Sequence, residues 1–317
     1  MEETSPEWAT RHHYYHHSNY KNKSKAKIFF EKCHVRPAIR LAENIVDNPD
    51  ATDGQKQDAW DIIRRLDQRY NGGDNAAMLM GRLTQMACDA ILIEHEDVNK
   101  SIDEVLFMAH NYEPRTWDNG ADKAKRDYLM AELPFVVKNA VVGLQEAMAT
   151  DNKILGEITL FDALPGNRLR YMTKPDYGRR GDLKTKWSKV NKKNASGFAT
   201  HSLPTNLGKS IWDMRNVSQV AGFYALNGQL PPFLLYANKN DYRLFTADNC
   251  YELEADYLHY MALQSSNMNK SIELKLQKSE TKRHLLEDEY PDTSDWLEPP
   301  TIIEEAKQLW GLYYASK

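Results

Sequence analysis

The chain has 317 residues, 41% of them hydrophobic, and a formal net charge of −4, which is enough apolar material for one large core or two smaller ones. No run approaches the roughly 18 apolar residues of a membrane span, and residues 1–17 hold no basic segment followed by an apolar one, so a soluble, cytoplasmic chain without a secretory signal is expected. Cys33, Cys88 and Cys250 are too few and too far apart for a disulfide framework, a CxxC metal site or an iron–sulfur cluster.

In chain order, residues 26–48 carry Ile28, Phe29, Cys33, Ile39, Ala42 and Ile45 near a period of about 3.6, which predicts a helix ended by Asn48 and Pro49. Thr52 followed by Gln55 reads as a capping box for a second helix reaching Tyr70. A third helix is expected over residues 76–95. A short fourth, capped by Ser101 with Glu104, ends near His110, and a long fifth over 122–148 is interrupted at Pro134. From Asp151 the pattern changes to short segments (154–161, 169–177 and 181–187) separated by glycine-containing turns, which predicts strands and hairpins. A helix over 209–226, strands over 233–238 and 243–246, and a helix over 249–264 follow. The tail from Lys278 is acidic and polar, with a last amphipathic turn around Ile302, Leu309 and Leu312. Three regions result: a helical N-terminal region over 1–75, an α/β core over 76–277 and the tail over 278–317.

Although the net charge is negative, its distribution is uneven. Ten basic residues lie between Arg168 and Lys193, opposed only by Asp176 and Asp182. Metal-assisted phosphodiester hydrolysis needs carboxylates to fix a cation and a group to orient water or stabilise charge. Asp176 and the run Asp182, Leu183, Lys184 supply those groups. A tight hairpin over Tyr177-Gly-Arg-Arg-Gly181 lets the two aspartates meet, and the period of two puts Asp182 and Lys184 on one face of a strand. The Leu183 carbonyl adds an oxygen ligand, and a set of hard oxygens suits Mg²⁺ or Mn²⁺. An acid-x-Lys triplet alone is weak, since Asp151, Glu273 and Glu280 also begin one, but only Asp182 follows a Pro-Asp pair and precedes a helix bearing Gln219.

These residues resemble the PD-(D/E)XK nucleases, in particular the RecE-type and YqaJ-type (lambda exonuclease-like) members. Glu157 matches the glutamate before the hairpin, Lys174-Pro175-Asp176 the Arg-Pro-Asp segment, and Asp182-Leu-Lys-Thr185 the Asp-x-Lys-Thr motif; Gln219 through Tyr224 resembles the Gln-x-x-x-Tyr helix, with Phe223 at the tyrosine place and Tyr224 one residue later. Gly81 through Gln85 is similar to the Gly-x-x-x-His helix, with glutamine where histidine is usual, and the loop from Asp176 to Asp182 is shorter than in most members. The resemblance implies a restriction-endonuclease-like α/β core, a mixed central sheet flanked by helices and preceded by the helical N-terminal region. It also implies a Mg²⁺- or Mn²⁺-dependent exonuclease that digests double-stranded DNA from its ends, of phage or mobile-element type. Such relatives form homo-oligomeric rings and hand their product to a single-strand annealing protein. Glu157, Asp176, Asp182 and the Leu183 carbonyl would bind metal, Lys184 would orient water or stabilise charge, and Gln219 would hold the water or the lysine. Arg179, Arg180, Lys186 and Lys189 would neutralise DNA phosphates. A structure-specific endonuclease and a DNA-binding scaffold with a decayed site are the alternatives.

Several features are set aside. His12, His13, His16 and His17 have helical zinc spacing, but no acidic or cysteine partner completes that site, and no Gly-rich phosphate loop of the GxxxxGK type is present.

Overall fold

A computed structural model describes residues 34–67, 75–113, 120–149, 151, 154–168, 170–190, 197–277 and 300–315. The histidine arm and the first third of the expected first helix lie outside the described residues. Helices α1 (Arg36–Asp47) and α2 (Asp53–Leu66) form a hairpin. The capping box of α2 is present, with Thr52 Oγ1 accepting from Gln55 N and Thr52 N donating to Gln55 Oε1. That helix stops at Leu66, short of Tyr70, because Asp67 is extended. The amphipathic turn expected in the tail is a full helix, α9 (Pro300–Ala315), whose Ile302 and Ala306 pack on Leu66. Glu305 joins the same contact, 2.6 Å from His34 Nε2 and paired with Arg65.

Among the described residues four more helices precede the sheet: α3 (Ala76–Leu92), α4 (Val98–Asn111), α5 (Ala121–Met130) and α6 (Leu133–Ala147). The cap of α4 is Asp97 rather than Ser101. An aspartate carboxylate satisfies two free N–H groups at once, those of Asn99 and Lys100, whereas the Ser101 hydroxyl bonds back to the Asp97 carbonyl. The interruption between α5 and α6 falls at Ala131 and Glu132. Pro134 opens α6, in the first turn where its missing N–H has no helical partner to lose.

Strands β1 (Leu160–Ala163) and β2 (Arg170–Thr173) form an antiparallel hairpin. The expected strand over 154–161 therefore begins late, although residues 154–159 continue alongside the chain through Ile158 N to Pro175 O and Gly178 N to Leu155 O. Strand β3 (Gly181–Thr185) ends two residues early because Trp187 turns back to donate its Nε1–H to Thr185 Oγ1. A two-residue pair, β4 (Lys189–Val190) with β5 (Phe198–Ala199), follows without a sequence signal. After α7 (Ile211–Leu226), strand β6 (Phe233–Ala237) pairs parallel with β3, and β7 (Tyr242–Phe245) pairs antiparallel with β6. The protein is thus α/β, a helical region followed by a mixed three-stranded sheet in the order β3-β6-β7. The last core helix, α8 (Ala255–Gln277), runs thirteen residues past its expected end. Its buried Ser266 and Glu273 meet the β1–β2 turn, where Ser266 Oγ meets Asn167 and Pro165 O and Glu273 takes the Arg168 N–H.

Every residue of β6 is buried, and its alternation feeds two cores. Phe233, Leu235 and Ala237 join the cluster built from α3 to α6, while Leu234 and Tyr236 join the cluster of α7 and α8. Helices therefore cover both faces of the sheet, as they must where a parallel pair is present. Gly143 on α6 makes the close approach possible, since a Cβ there would stand 2.5 Å from Leu235 Cδ1.

Candidate active site

Strand β3 has one face toward α3 and one toward α7. Leu183 packs into the α3–α6 cluster, and Thr185 Oγ1 lies 3.2 Å from where a Cβ on Gly81 would stand, so that glycine lets α3 seat against the strand. Asp182 and Lys184 project to the other face, with Lys184 Nζ 2.5 Å from Asp182 Oδ2. Gln219 of α7 closes a triangle: its Nε2 donates to Asp182 Oδ1 at 3.0 Å, and its Oε1 accepts from Lys184 Nζ at 3.1 Å. The amide uses both ends on this pair, which fixes its orientation.

β3 is an edge strand, and Asp176 sits on its free edge. The Leu183 N–H donates to Asp176 Oδ2 at 2.9 Å. The N–H and C=O of one strand residue project to the same edge, so the Leu183 carbonyl belongs to this edge as well. Asp176 is held there by the Tyr177-to-Arg180 turn, through Asp176 N and Tyr177 N to Gly181 O, and by the buried Tyr177 ring, whose hydroxyl reaches the Gln85 carbonyl on α3. Burial, then the neighbouring Asp182, push the Asp176 carboxyl up to about 8 against the pull of Lys184 and the Leu183 N–H. Burial pulls the Lys184 ammonium down, but Asp182 and Asp176 more than offset it, and the lysine stays charged.

Glu157 stands at the rim, about half exposed, with Lys174 Nζ 3.2 Å away. It is close enough to raise Asp176 by its charge, yet it bonds neither aspartate. The four candidate DNA-contacting residues separate. Arg179 is exposed in a left-handed turn conformation (φ 62°), and Lys189 is exposed on β4. Arg180 is tied into the fold by Asp151 at 2.9 Å, the Pro231 carbonyl and the Phe233 ring. Lys186 lies 3.5 Å from Asp213 and 5.0 Å from the Tyr236 ring centroid.

Two features escape sequence reading. Asp89 on α3 is a half-buried carboxylate whose Oδ1 has no hydrogen-bond partner, raised by burial and by the charges of Glu157 and Glu94. A lone acid near the end of the apolar helix α3, one turn beyond Gln85, was the available signal. The second is a polar row on α7. Asp213, Asn216 and Gln219, three residues apart, face Lys186, the Tyr236 hydroxyl and the Asp182–Lys184 pair in turn.

The carboxylates fit a hard divalent cation. Asp182 Oδ2 is buried, and despite the close ammonium it has no hydrogen bond of good geometry. A second acid, Asp176, is held beside it at a raised pKa, an arrangement that a cation would relieve. Among the described residues, no three His, Cys, Asp or Glu side chains converge as a ready-made metal cage. No family model, no curated protein and no solved structure matches the chain.

Proposed function

We propose that the protein is a metal-dependent deoxyribonuclease with a restriction-endonuclease-like core, acting as an exonuclease on double-stranded DNA. The observation that carries this reading is the Asp182–Lys184–Gln219 triangle, with Asp176 on the adjoining edge of the same strand. Asp176, Asp182 and the Leu183 carbonyl would hold Mg²⁺ or Mn²⁺, with Glu157 at the rim. When bound, the cation would activate water and neutralise charge on the phosphate. The raised Lys184 remains an ammonium at neutral pH, so its part is to stabilise the negative charge that builds on the phosphorus oxygens, not to act as the base. Gln219 keeps that ammonium aimed beside Asp182. Arg179 and Lys189, exposed and near the site, are the better candidates for backbone phosphate contacts; Arg180 serves the fold first. Double-stranded DNA, a homo-oligomeric assembly and an annealing protein that takes up the single-stranded product remain part of this proposal, as does a cytoplasmic setting.

The test compares linear and covalently closed DNA with Mg²⁺, Mn²⁺ or chelator, using wild-type and Asp182→Ala protein. Metal-dependent loss of linear DNA alone supports the exonuclease, and cutting of closed circles supports the endonuclease. Cleavage that persists in chelator or in Asp182→Ala overturns the assignment.

A further inference from the structure

Next to the triangle, beyond the end of β3, lies an open cleft of about 590 Å³. Its lining is mostly polar and includes the apolar side chains of Ala77, Trp187, Leu203 and Pro204. The same lining carries Lys125, Lys186 and Lys189 against the single carboxylate of Asp213. Lys186 is engaged with Asp213, whereas Lys125 and Lys189 form no ion pair among the described residues. The first turn of α7 also opens here. Ser210 lines the cleft just before Ile211, so the positive end of a 16-residue helix adds to the lysines. His201, also in the lining, is held below its ordinary value by burial first and then by Lys189 and Lys186, with Asp213 pulling the other way; both ammonium groups therefore act on the same part of the cleft.

Size separates the occupants. The cleft holds roughly twenty water volumes at about 30 Å³ each, far more than one phosphate needs, and falls within the range of about 300–1,000 Å³ typical of small-molecule sites. Three lysines and four apolar side chains in one lining match a ligand with an anionic end and a flat, weakly polar body. We infer that this cleft binds one nucleotide unit of a nucleic-acid strand, its phosphate at Lys125, Lys189 and the start of α7, and its base against Leu203 and Pro204. The inference rests on the nuclease reading for the identity of the ligand. The polar row on α7 links the two places, since Asp213 and Asn216 border the cleft and Gln219 belongs to the triangle.

The cleft is built to keep its shape. The buried Glu132 carboxylate accepts from Ser188 Oγ at 2.6 Å and pairs with Lys239 at 2.7 Å, tying the chain after β3 to the β6–β7 turn. Asn238 Nδ2 donates to the His201 carbonyl and ties that lining residue to the same turn.

The test is calorimetric titration of the full-length protein in chelator, which removes any metal-held phosphate. The probes are deoxyadenosine monophosphate, deoxyadenosine and inorganic phosphate. The monophosphate is expected to bind at least tenfold more tightly than either of the others. Lys125→Glu with Lys189→Glu is expected to weaken it tenfold or more, while Lys100→Glu on α4 leaves it unchanged. Lys125→Gln with Lys189→Gln guards against misfolding in the charge-reversed protein and should show the same direction. No binding of the monophosphate at millimolar concentration, equal affinity for inorganic phosphate, or binding untouched by either lysine pair overturns the inference. Nuclease activity is scored separately: cleavage without nucleotide binding sinks the cleft and spares the nuclease reading, and nucleotide binding without cleavage does the reverse.

Discussion

Asp182 and Lys184, separated by one residue on β3, carry opposite charges to one point, and their separate removal should have separable consequences. Asp182→Ala deletes a buried acid and is expected to abolish cleavage while keeping DNA affinity, because the negative charge nearest the phosphate is lost with it. Lys184→Ala is expected to slow cleavage by roughly 10²-fold or more, the scale of losing one transition-state donor. Gel-shift and single-turnover assays on the same preparations check both, and unchanged rates would leave the pair a mere structural bridge. Asp176 yields a prediction about stability. Its carboxyl, ordinarily near 3.8, stands at about 8 in the folded chain. Between those values the folded state keeps a proton that the unfolded chain has released, so this group's contribution to the stability of metal-free protein is fully present below about pH 4 and is lost as pH rises through 8. Asp176→Asn should therefore raise the melting temperature of chelated protein at pH 8 by about 3 °C, the scale of 1 kcal/mol in a chain of this size. The gain should shrink toward pH 4 and be reversed by Mg²⁺, which only the wild type can use. A variant less stable than wild type at pH 8 without metal contradicts the raised pKa.

At the level of elements, close helix–sheet contact depends on small residues. A Cβ on Gly143 would meet Leu235 and the Tyr242 ring, whereas Gly54 near the start of α2 has nothing within 4 Å. Gly143→Ala is expected to cost about 1–3 kcal/mol by overpacking, and Gly54→Ala to gain about 0.5–1 kcal/mol by restricting the unfolded chain. Denaturant titration gives both, and a shared sign would contradict the packing described. Gly143 also marks what sequence reading can reach. Most helices and strands were legible because apolar period and caps are local, as with Thr52 and Gln55 at the start of α2. The face shared by Asp182 and Lys184 was legible for the same reason, since a strand alternates whatever it packs against. The end of α8 was not, because Ser266 and Glu273 look like a solvent face until the β1–β2 turn is placed over them. Nor was the role of Arg180, whose partners Asp151 and Pro231 are 29 and 51 residues away. Asp97 outcompeted Ser101 as a cap for a reason that was local and available: a carboxylate takes two N–H groups where a hydroxyl takes one.

Across the whole molecule, the clusters of buried side chains separate the ends of the chain from the sheet. Leu66, Ile302 and Ala306 form one group with Val35, Ala38 and Ile39, and Ala42, Ala59 and Ile63 form another, whereas β3 and β6 draw on the clusters of α3 to α6 and of α7 with α8. A cluster that shares few buried contacts with its neighbour opens on its own in native-state exchange. The tail helix α9 therefore belongs energetically with α1 and α2, although residues 67–299 lie between them. Ile302 is the residue to probe, at 3% exposure beside Leu66. Ile302→Asp places an unpaired carboxylate in that group, a change that costs about 3 kcal/mol or more where the charge finds no partner. Hydrogen-exchange mass spectrometry of the full-length variant should show protection falling at least tenfold in α1, α2 and α9. Amides of β3 and β6 should keep wild-type protection, and the rate of metal-dependent cleavage per molecule should stay within about twofold, since no residue of the Asp182–Lys184–Gln219 triangle contacts that group. Equal loss of protection in β3 and β6 would mean that the terminal helices and the sheet fold as one cooperative unit, and the division drawn here from the buried clusters would fall.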